Sequence, residues 1–274
     1  RELVRCMVAA LQRASQGGRL TLLHRHRITG LDHMAGKVSG ATAINEANGE
    51  DVRFSAPVVV LAMGGINGHH DECRANWPKD RPRPATMLNG AHPFADGKLH
   101  HWVADRLGGR ITHAGEMWNY AAGFPHPFPH FEGHGLSTIP CKSALWLNHR
   151  GERIGPEPLV TGFDTHELVA RICHEPGGYS WQLLNRRIAL RELAVSGAEF
   201  NPAIRDQRRL RVAMDLLFGN RWLYDELTRN CEDIVQAGTL PELVGRMNAL
   251  NGDDVVNLAA VSEAVTRYDD AIAR

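Results

Sequence analysis

A continuous apolar run that ends in two glycines is the strongest candidate for a ligand-contacting segment. The run Val58-Val59-Val60-Leu61-Ala62-Met63 is rich in β-branched residues and leads directly into Gly64-Gly65. This pattern is typical of a strand buried on both faces of a parallel sheet. Backbone without a Cβ can come close to a flat or charged ligand, and ligands of open α/β sheets bind at the carboxyl ends of strands. A structural strand followed by a tight turn is the alternative interpretation.

A second candidate is the acidic residue in Ala95-Asp96-Gly97-Lys98, at the start of a helix that ends with Leu107-Gly108-Gly109. The Asp96 carboxylate could accept a hydrogen bond from a ligand hydroxyl. The alternative is an ordinary helix N-cap, because aspartate is favoured at that position. Each of the two glycine-containing segments is a weak signal when it is taken alone.

Three histidines, His126, His130 and His134, have the spacing that would align metal ligands along one face of a helix. Three prolines alternate with them at positions 125, 127 and 129, and proline within a helix removes a hydrogen bond and clashes with the preceding turn. The helix cannot form, so the sequence predicts no metal site. We expect these imidazoles to lie on the surface or along the wall of a pocket.

The composition excludes several classes of function. The 274 residues include 31 Lys+Arg and 31 Asp+Glu, and this balance does not favour nucleic-acid binding, which requires a basic excess. No apolar run approaches the roughly 18 residues of a membrane span. The five cysteines are scattered and form no Cys-x-x-Cys motif, which favours a reducing, cytoplasmic location.

The elements that must position these residues follow from periodicity and turn signals. The pattern predicts an α/β fold. In the first half of the chain it predicts a helix over 1–18, a strand over 20–28, extended pieces over 37–44 and 51–54, and the buried strand over 58–62. A loop-rich stretch over 71–95 and a stretch without helix over 121–140 follow, and then come helices over 165–250 and a last helix near the end. Thr239-Leu240-Pro241-Glu242 is a capping box that starts one of these helices.

These motifs, in this order, resemble those of a known family. The segment Leu61-Ala62-Met63-Gly64-Gly65 resembles the V-V-L-A-T-G-G strand of the FAD-dependent succinate dehydrogenase/fumarate reductase flavoprotein superfamily. Asp96-Gly97 with Leu107-Gly108-Gly109 resembles the family's T-G-D-G...L-G-A element. The stretch from Leu147 to Glu157 resembles its V-N-x-x-G-x-R-F-x-x-E signature.

The sequence is still more similar to the branch of FAD-binding dehydrogenases related to 3-ketosteroid Δ1-dehydrogenase. The segments that carry this similarity are His24-Arg25-His26-Arg27-Ile28, Ser143-Ala144-Leu145-Trp146-Leu147, Gly162-Phe163-Asp164-Thr165 and Leu240-Pro241-Glu242-Leu243-Val244. The resemblance implies FAD as cofactor, with backbone at Ala62, Gly64 and Gly65 facing FAD and Asp96-Gly97 opening a helix beside it.

The sequence also departs from the family pattern. The Gly-x-Gly-x-x-Gly turn that cradles the FAD pyrophosphate in this family does not occur in these 274 residues. Met63 stands where the family has threonine, and Ala95 stands where it has glycine. We therefore expect the chain to be an internal part of a longer flavoprotein.

One departure separates this sequence from the fumarate reductases, in which an arginine donates a proton. The matching position here is Phe163, and a phenyl ring cannot donate a proton. Fumarate reduction would then require Arg153 or Arg171 as a substitute. Aromatic residues between positions 120 and 181 instead suggest an apolar cleft for a large, flat substrate, with a simple core as the alternative: Tyr120, Phe124, Phe128, Phe131, Trp146, Phe163, Tyr179 and Trp181.

The resemblance implies hydride transfer between flavin N5 and a carbon near a substrate carbonyl, together with removal of the neighbouring proton. A side chain must remove that proton, and a hydrogen-bond donor must polarise the carbonyl. The candidates for these catalytic roles are Tyr120 and Tyr179, with His126 as a weaker one.

The sequence as a whole predicts an α/β plus α+β protein with two parts. Residues 1–125 would form a partial Rossmann-like FAD-binding domain, and residues 126–274 would form an inserted substrate or cap domain, mostly helical after 165. The expected partner is a small hydrophobic substrate, without nucleic acid and without a membrane span, and the oligomeric state is left open. The alternatives are a non-catalytic truncated fragment and a fumarate reductase-like enzyme.

Overall fold

The computed structural model describes residues 2–139, 141–155, 165–197 and 200–273. Within these ranges the helices are α1 (Glu2–Gln16), α2 (His70–Ala75), α3 (Lys98–Leu107), α4 (Thr165–His174), α5 (Arg186–Glu192), α6 (Pro202–Arg205), α7 (Arg209–Phe218), α8 (Arg221–Asn230), α9 (Leu240–Asn251) and α10 (Leu258–Ile272). The strands are β1 (His26–Met34), β2 (Lys37–Asn45), β3 (Glu50–Ser55), β4 (Gly123–Pro125), β5 (Gly135–Ile139), β6 (Leu145–Leu147), β7 (Trp181–Leu183) and β8 (Ala194–Val195).

The chain divides into two compact units. Unit 1 consists of Arg1–Gly65 and Gly97–Thr112, and unit 2 consists of Ile66–Asp96 and His113–Arg274. These units group the residues differently from the division at residue 125 that the sequence suggests, and that division stays a prediction about domains.

Unit 1 is built on a three-stranded antiparallel sheet in the order β1-β2-β3. Its hairpins follow from local turn chemistry. Ala35 and Gly36 both have positive φ between β1 and β2, as a two-residue hairpin turn requires. The Asn48-Gly49 turn predicted from the sequence joins β2 to β3, where the Gly49 N–H donates to the Asn45 carbonyl at 2.7 Å. The extended pieces predicted over 37–44 and 51–54 are therefore confirmed.

Two further predictions in unit 1 have different outcomes. The first helix forms as expected, and Gly17-Gly18 follows its last residue. The strand predicted over 20–28 is displaced, since β1 runs from His26 to Met34. The register gives the reason. His26 lies opposite Asn45, the last residue of β2, so residues before His26 have no strand to pair with.

The prediction of a buried strand over 58–62 was wrong. The structure assigns no strand to these residues, and the side chains of Val58 and Val60 are 74% and 81% exposed. A strand of this apolar composition requires hydrogen-bonded neighbours and a covering layer on each face. All strand pairs among the described residues are antiparallel, and they involve other segments.

Unit 2 is organised around the short strand β6, whose three residues are all buried. Because side chains alternate along a strand, Trp146 enters a core with Leu168 and Ile172 of α4. Leu145 and Leu147 enter a different core, to which α9 and α10 contribute Val244, Met247, Val261 and Ala264. One strand thus supplies residues to two cores.

A third core in unit 2 joins strands and helices. It contains Phe124 of β4, Leu136 of β5 and Val195 of β8, packed with Leu223 and Leu227 of α8. The three strands form an antiparallel sheet in the order β4-β5-β8. The stretch over 121–140 was predicted to lack helix, and its described residues have none.

Side-chain caps start several helices of unit 2. The Thr239 hydroxyl accepts from the Glu242 N–H at 3.4 Å, which confirms the predicted start of α9. The Glu242 carboxylate accepts from the Gly238 N–H instead of from Thr239, so the capping box is shifted by one residue. Asn257 accepts from Ala259 and Ala260 and starts α10, which is the predicted last helix.

The mixed helix and strand composition confirms the coarse fold class. The sheets of the described residues are small and antiparallel, and their parallel pairing is restricted to an isolated bridge between Asn89 and His134. The Rossmann-like parallel sheet expected from the resemblance is absent from this part of the chain.

The core assignment predicts a strong contrast between two leucines on adjacent helices. Leu227→Ala on α8 should lower the free energy of unfolding by about 2–5 kcal/mol, because it opens a cavity in the core. Leu217→Ala on α7 should change it by less than about 0.5 kcal/mol, because that side chain is exposed. Urea unfolding followed by circular dichroism measures both changes, and equal losses would contradict the assignment.

Candidate cofactor site and candidate catalytic residues

A cavity of about 400 Å³ lies within unit 1 beside the predicted ligand-contacting glycines. One wall is the segment from Leu61 to Gly64, and the opposite wall is a stripe along α3. Residues 109–112 complete the lining. The stripe consists of Leu99, His100, Val103 and Ala104. The cavity has the size of a small-molecule site, for which roughly 300–1,000 Å³ is usual.

Two glycines with positive φ lie at the ends of the segments that line this cavity. Gly64 has a φ of 86° at the end of the apolar run, and Gly97 has a φ of 71° as the N-cap of α3. Side chains with a Cβ rarely adopt these angles. A Cβ on the neighbouring Gly65 would meet no atom within 4 Å, so the backbone there presents an open face.

His100 is the polar side chain that the sequence analysis missed. Its Nδ1 atom is buried and has no hydrogen-bond partner among the described residues. A polar ligand in the cavity could satisfy that atom, which otherwise costs free energy because it has lost its water. The sequence did contain a signal for this residue, because His100 lies on the same helical face as Leu99, Val103 and Ala104, and this face lines the cavity.

Asp96 precedes this helix but does not cap it. The N-cap is Gly97, and α3 has no side-chain cap hydrogen bond. The alternative interpretation of Asp96 as an ordinary N-cap was therefore wrong. Asp96 is half-buried and belongs to unit 2, whereas Ala62, Gly64, Gly65 and Gly97 belong to unit 1.

These observations fit a flavin nucleotide. The cavity offers a glycine backbone that a flat group can approach, apolar side chains, and one imidazole with an unsatisfied nitrogen. Its volume suits part of a dinucleotide rather than the whole of it.

Tyr179, a predicted catalytic residue, lies in unit 2 in a polar and aromatic environment. Its hydroxyl oxygen accepts a hydrogen bond from Asn251 Nδ2 at 2.7 Å, and its ring lies edge-on to Trp181 with centroids 5.8 Å apart. Burial raises the pKa of the Tyr179 phenol above its ordinary value, although the Asn251 hydrogen bond acts in the opposite direction. The phenol is therefore neutral at physiological pH, with its own O–H free of the Asn251 bond.

The structure gives each of the three predicted catalytic residues a different environment. Tyr120 is exposed, with its ring 6.4 Å from that of Trp118. His126 is only 4% exposed and stacks on His134 with ring centroids 4.1 Å apart. Tyr179 contacts Trp181 and Asn251, as described above. No described contact joins any two of the three.

His126, His130 and His134 do come together although they cannot form a helix. β4 and β5 pair and bring His126 and His134 face to face, and His130 lies 5.4–5.6 Å from both rings. His126 Nδ1 accepts from the Phe128 N–H and His134 Nδ1 accepts from the His130 N–H. Within the described ranges, no group of three or more His, Cys, Asp or Glu side chains is arranged to hold a metal ion.

The aromatic residues predicted to line one cleft are divided between different environments. Trp146 and Phe124 belong to separate cores, and Phe128 is exposed. Core packing, the alternative interpretation, therefore accounts for these two and also for Trp181, which packs against the core of Leu145 and Leu147. Phe163, on which the argument against fumarate reduction depends, lies outside the described residues.

The cysteines are free thiols: Cys6, Cys73, Cys141, Cys173 and Cys231. Burial raises the pKa of Cys141 and of Cys231 to about 11. Both thiols therefore stay protonated at physiological pH, and neither supplies a thiolate for nucleophilic chemistry.

Comparison with known proteins identifies the family. A family model described as an FAD binding domain matches residues 1–208, which include all of the cavity lining. The chain belongs to this FAD-binding family. FAD is therefore its cofactor, as the motifs predicted.

Curated relatives of this FAD-binding chain are steroid dehydrogenases by name. A KsdD-like steroid dehydrogenase of Mycolicibacterium smegmatis is 30% identical over 269 residues, which cover 93% of this chain and 49% of the relative. A KsdD-like steroid dehydrogenase of Mycobacterium tuberculosis is 34% identical over 218 residues, covering 79% of this chain and 38% of the relative. The chain thus spans half or less of the length of these relatives. The resemblance to the ketosteroid dehydrogenase-like branch is confirmed.

Among the helices that the structure describes, none is both long enough and apolar enough to cross a bilayer.

The environment of Tyr179 predicts its titration. Because its pKa is raised in the folded state, the neutral phenol contributes stability that is fully present below about pH 10, the ordinary tyrosine value, and is lost as the pH rises through the folded pKa. Absorbance at 295 nm should show a late phenolate component that Tyr179→Phe removes. Asn251→Ala should move this component to still higher pH, because it removes the hydrogen bond that lowers the pKa. An unchanged last component in Tyr179→Phe would contradict the assignment.

Proposed function

We propose that this protein is an FAD-dependent dehydrogenase that acts on the CH–CH group of a hydrophobic, ketosteroid-like carbonyl compound. The observation that carries the proposal is the cavity between the Leu61–Gly64 segment and α3, inside the residues matched by the FAD-binding family. The names of the relatives support the substrate class, and because the chain spans half or less of their length, the activity is proposed for the whole protein.

The cofactor contacts we propose are Ala62, Gly64, Gly65, Asp96 and Gly97, with His100 added from the structure. Ala62 and Gly64 line the cavity, and Gly65 continues the same backbone with an open face. His100 would donate or accept one hydrogen bond through the buried Nδ1. Asp96 would accept a hydrogen bond from a cofactor hydroxyl.

When bound, FAD would supply a two-electron acceptor for the hydride that leaves the substrate. Side chains of the protein must exclude water from the site, orient the substrate carbonyl and remove one proton from the substrate. The proton on the carbon next to a carbonyl becomes acidic when the carbonyl oxygen accepts a strong hydrogen bond, because the developing negative charge is stabilised there.

Tyr179 is the side chain we propose as the donor to that carbonyl. Its oxygen already accepts from Asn251, so its O–H proton is available to donate. Its raised pKa keeps that proton in place at neutral pH. Tyr120, which is exposed, is proposed as the group that removes the substrate proton, and in this role it would act as the phenolate, which becomes the neutral phenol when it takes that proton. The burial of His126 against His134 and Phe200 favours a packing role, which keeps it the weakest of the three candidates.

The cofactor proposal is tested with a glycine that carries no backbone strain. Gly65→Leu places a side chain on the open face beside the cavity, and it should weaken FAD binding at least about tenfold by excluding the cofactor from its surface. Fluorescence titration with FAD and flavin absorbance near 450 nm, a property of the cofactor, measure the loss.

Gly245→Leu is the matched control, since a Cβ at Gly245 on α9 also meets no atom within 4 Å. It should bind FAD like the unmodified chain. Undiminished binding by Gly65→Leu would remove the cavity from the site. A well-folded unmodified chain that binds no FAD would favour the alternative of a non-catalytic fragment.

The catalytic proposal is tested in the full-length protein with a panel of ketosteroids and a dye as electron acceptor. Tyr179→Phe should lower kcat by about 10²–10⁴-fold with little change in FAD content, because general acid catalysis contributes that much. Tyr224→Phe is the control, since its hydroxyl bonds to Gln236 on a different part of unit 2. An active Tyr179→Phe enzyme would overturn the role of Tyr179. Selective turnover of succinate would support the fumarate reductase-like alternative instead.

A further inference from the structure

Helix α7 turns its apolar side to solvent. Four residues at helical spacing form one face: Leu210, Met214, Leu217 and Phe218, which are 83%, 53%, 68% and 76% exposed. Among the ten residues of α7, all of which the structure describes, none is buried. Ile204 on the neighbouring α6 is exposed as well, which extends the patch. Large apolar side chains that are this exposed on adjacent turns mark an interaction surface.

Arginines accompany this apolar face. Residues 204–218, which include all of α6 after Ala203 and all of α7, contain four arginines and two aspartates, an excess of two positive charges, while the whole chain is formally neutral. Asp206 lies 2.8 Å from Arg205 and 3.8 Å from Arg208, and Asp215 lies 3.0 Å from Arg211. The carboxylates of Asp206 and Asp215 therefore neutralise only part of the charge of the arginines over 205–211, and the segment keeps a net positive charge.

On the helix itself, the charges flank the apolar face. At 100° per residue, Leu217, Leu210, Met214 and Phe218 occupy an arc of about 100°, with Arg209 before it and Arg211 just beyond it. This is the arrangement of a helix that lies in a membrane surface, with apolar side chains among the acyl chains and guanidinium groups at the level of the phosphates.

We propose that α7 with Ile204 docks the protein on an anionic lipid surface. The charge of the segment complements anionic headgroups, each nearby arginine adding to the attraction. A second copy of this chain fits less well, because pairing the same patch across a two-fold axis would bring two arginine-rich segments together. Exposed side chains that stand out from a helix face also suit a fluid surface, which needs no preformed complementary pocket.

The docking proposal is independent of the proposed catalytic function, since the docking face shares no residue with the cofactor cavity. Its test uses sedimentation of the full chain with vesicles of phosphatidylcholine, alone or with about one third phosphatidylglycerol. We expect binding to the anionic vesicles, weaker binding to the neutral ones, and a loss of the difference at high salt.

Two variants separate the apolar and the charged contributions. The double variant Leu217→Ser/Phe218→Ser should bind anionic vesicles at least about tenfold more weakly, since two large apolar side chains no longer insert. Arg209→Gln should reduce anionic binding by roughly fivefold and leave neutral binding unchanged. Because all three side chains are exposed, circular dichroism should show that both variants fold normally.

Matched controls come from other elements. Met34→Ser/Ile272→Ser removes two exposed apolar side chains, one at the end of β1 and one at the end of α10, and Arg246→Gln removes one exposed arginine from α9. Both should bind vesicles like the unmodified chain. Equal losses in these controls would mean nonspecific adsorption and would overturn the proposal, as would equal binding to neutral and anionic vesicles. If vesicles leave the chain in solution and Leu217→Ser/Phe218→Ser converts a dimer to a monomer in light scattering, the face is a contact between copies and the proposal is wrong.

Discussion

Glycine residues on both sides of α3 set the position of that helix, and the cavity of unit 1 depends on this position. Gly97 adopts a left-handed conformation as the N-cap, so the chain turns sharply into the helix. After the helix, the Gly109 N–H donates to the Val103 carbonyl at 3.1 Å, and a Cβ at Gly109 would lie only 2.6 Å from Val103 Cγ1. The segment that follows can therefore return closely along α3 and line the cavity. A larger residue would push it away and open the site.

Unit 2 depends on a different constraint, the burial of β6 on both of its faces. Trp146 on one face of β6 packs in a core with α4. Leu145 and Leu147 on the other face pack in a second core with α9 and α10. The charged and aromatic groups at its surface, including Tyr179 next to β7, are held by elements that pack against this strand. The exposed face of α7 contributes to none of the three cores, so it is free to serve an interaction without a cost in stability.

The sequence predicted elements well where the signal is local. Turn residues at Asn48-Gly49, glycines after α1 and α3, and the hydroxyl of Thr239 act on the nearest few residues, and each ended or began an element as expected. Predictions that depend on distant partners were less reliable. Val58–Ala62 has the composition of a buried strand, but a strand also needs neighbouring strands, and the described chain places none beside it. The three histidines were correctly denied a helix, yet pairing of β4 with β5 brings their rings together.

By itself, the sequence determined the family and the cofactor, because short motifs such as Leu61–Gly65 and Asp96-Gly97, taken in their order along the chain, are enough to indicate the FAD-binding family. It also determined the helix boundaries that depend on capping and turn chemistry. Only the tertiary structure decided that His100 lines the same cavity as Ala62 and Gly64, that Asn251 reaches the Tyr179 hydroxyl across 72 positions, and that the apolar side of α7 faces water. The physical reason is that burial and hydrogen bonding between distant segments depend on how elements pack, and periodicity along one helix does not say which of its faces finds a partner.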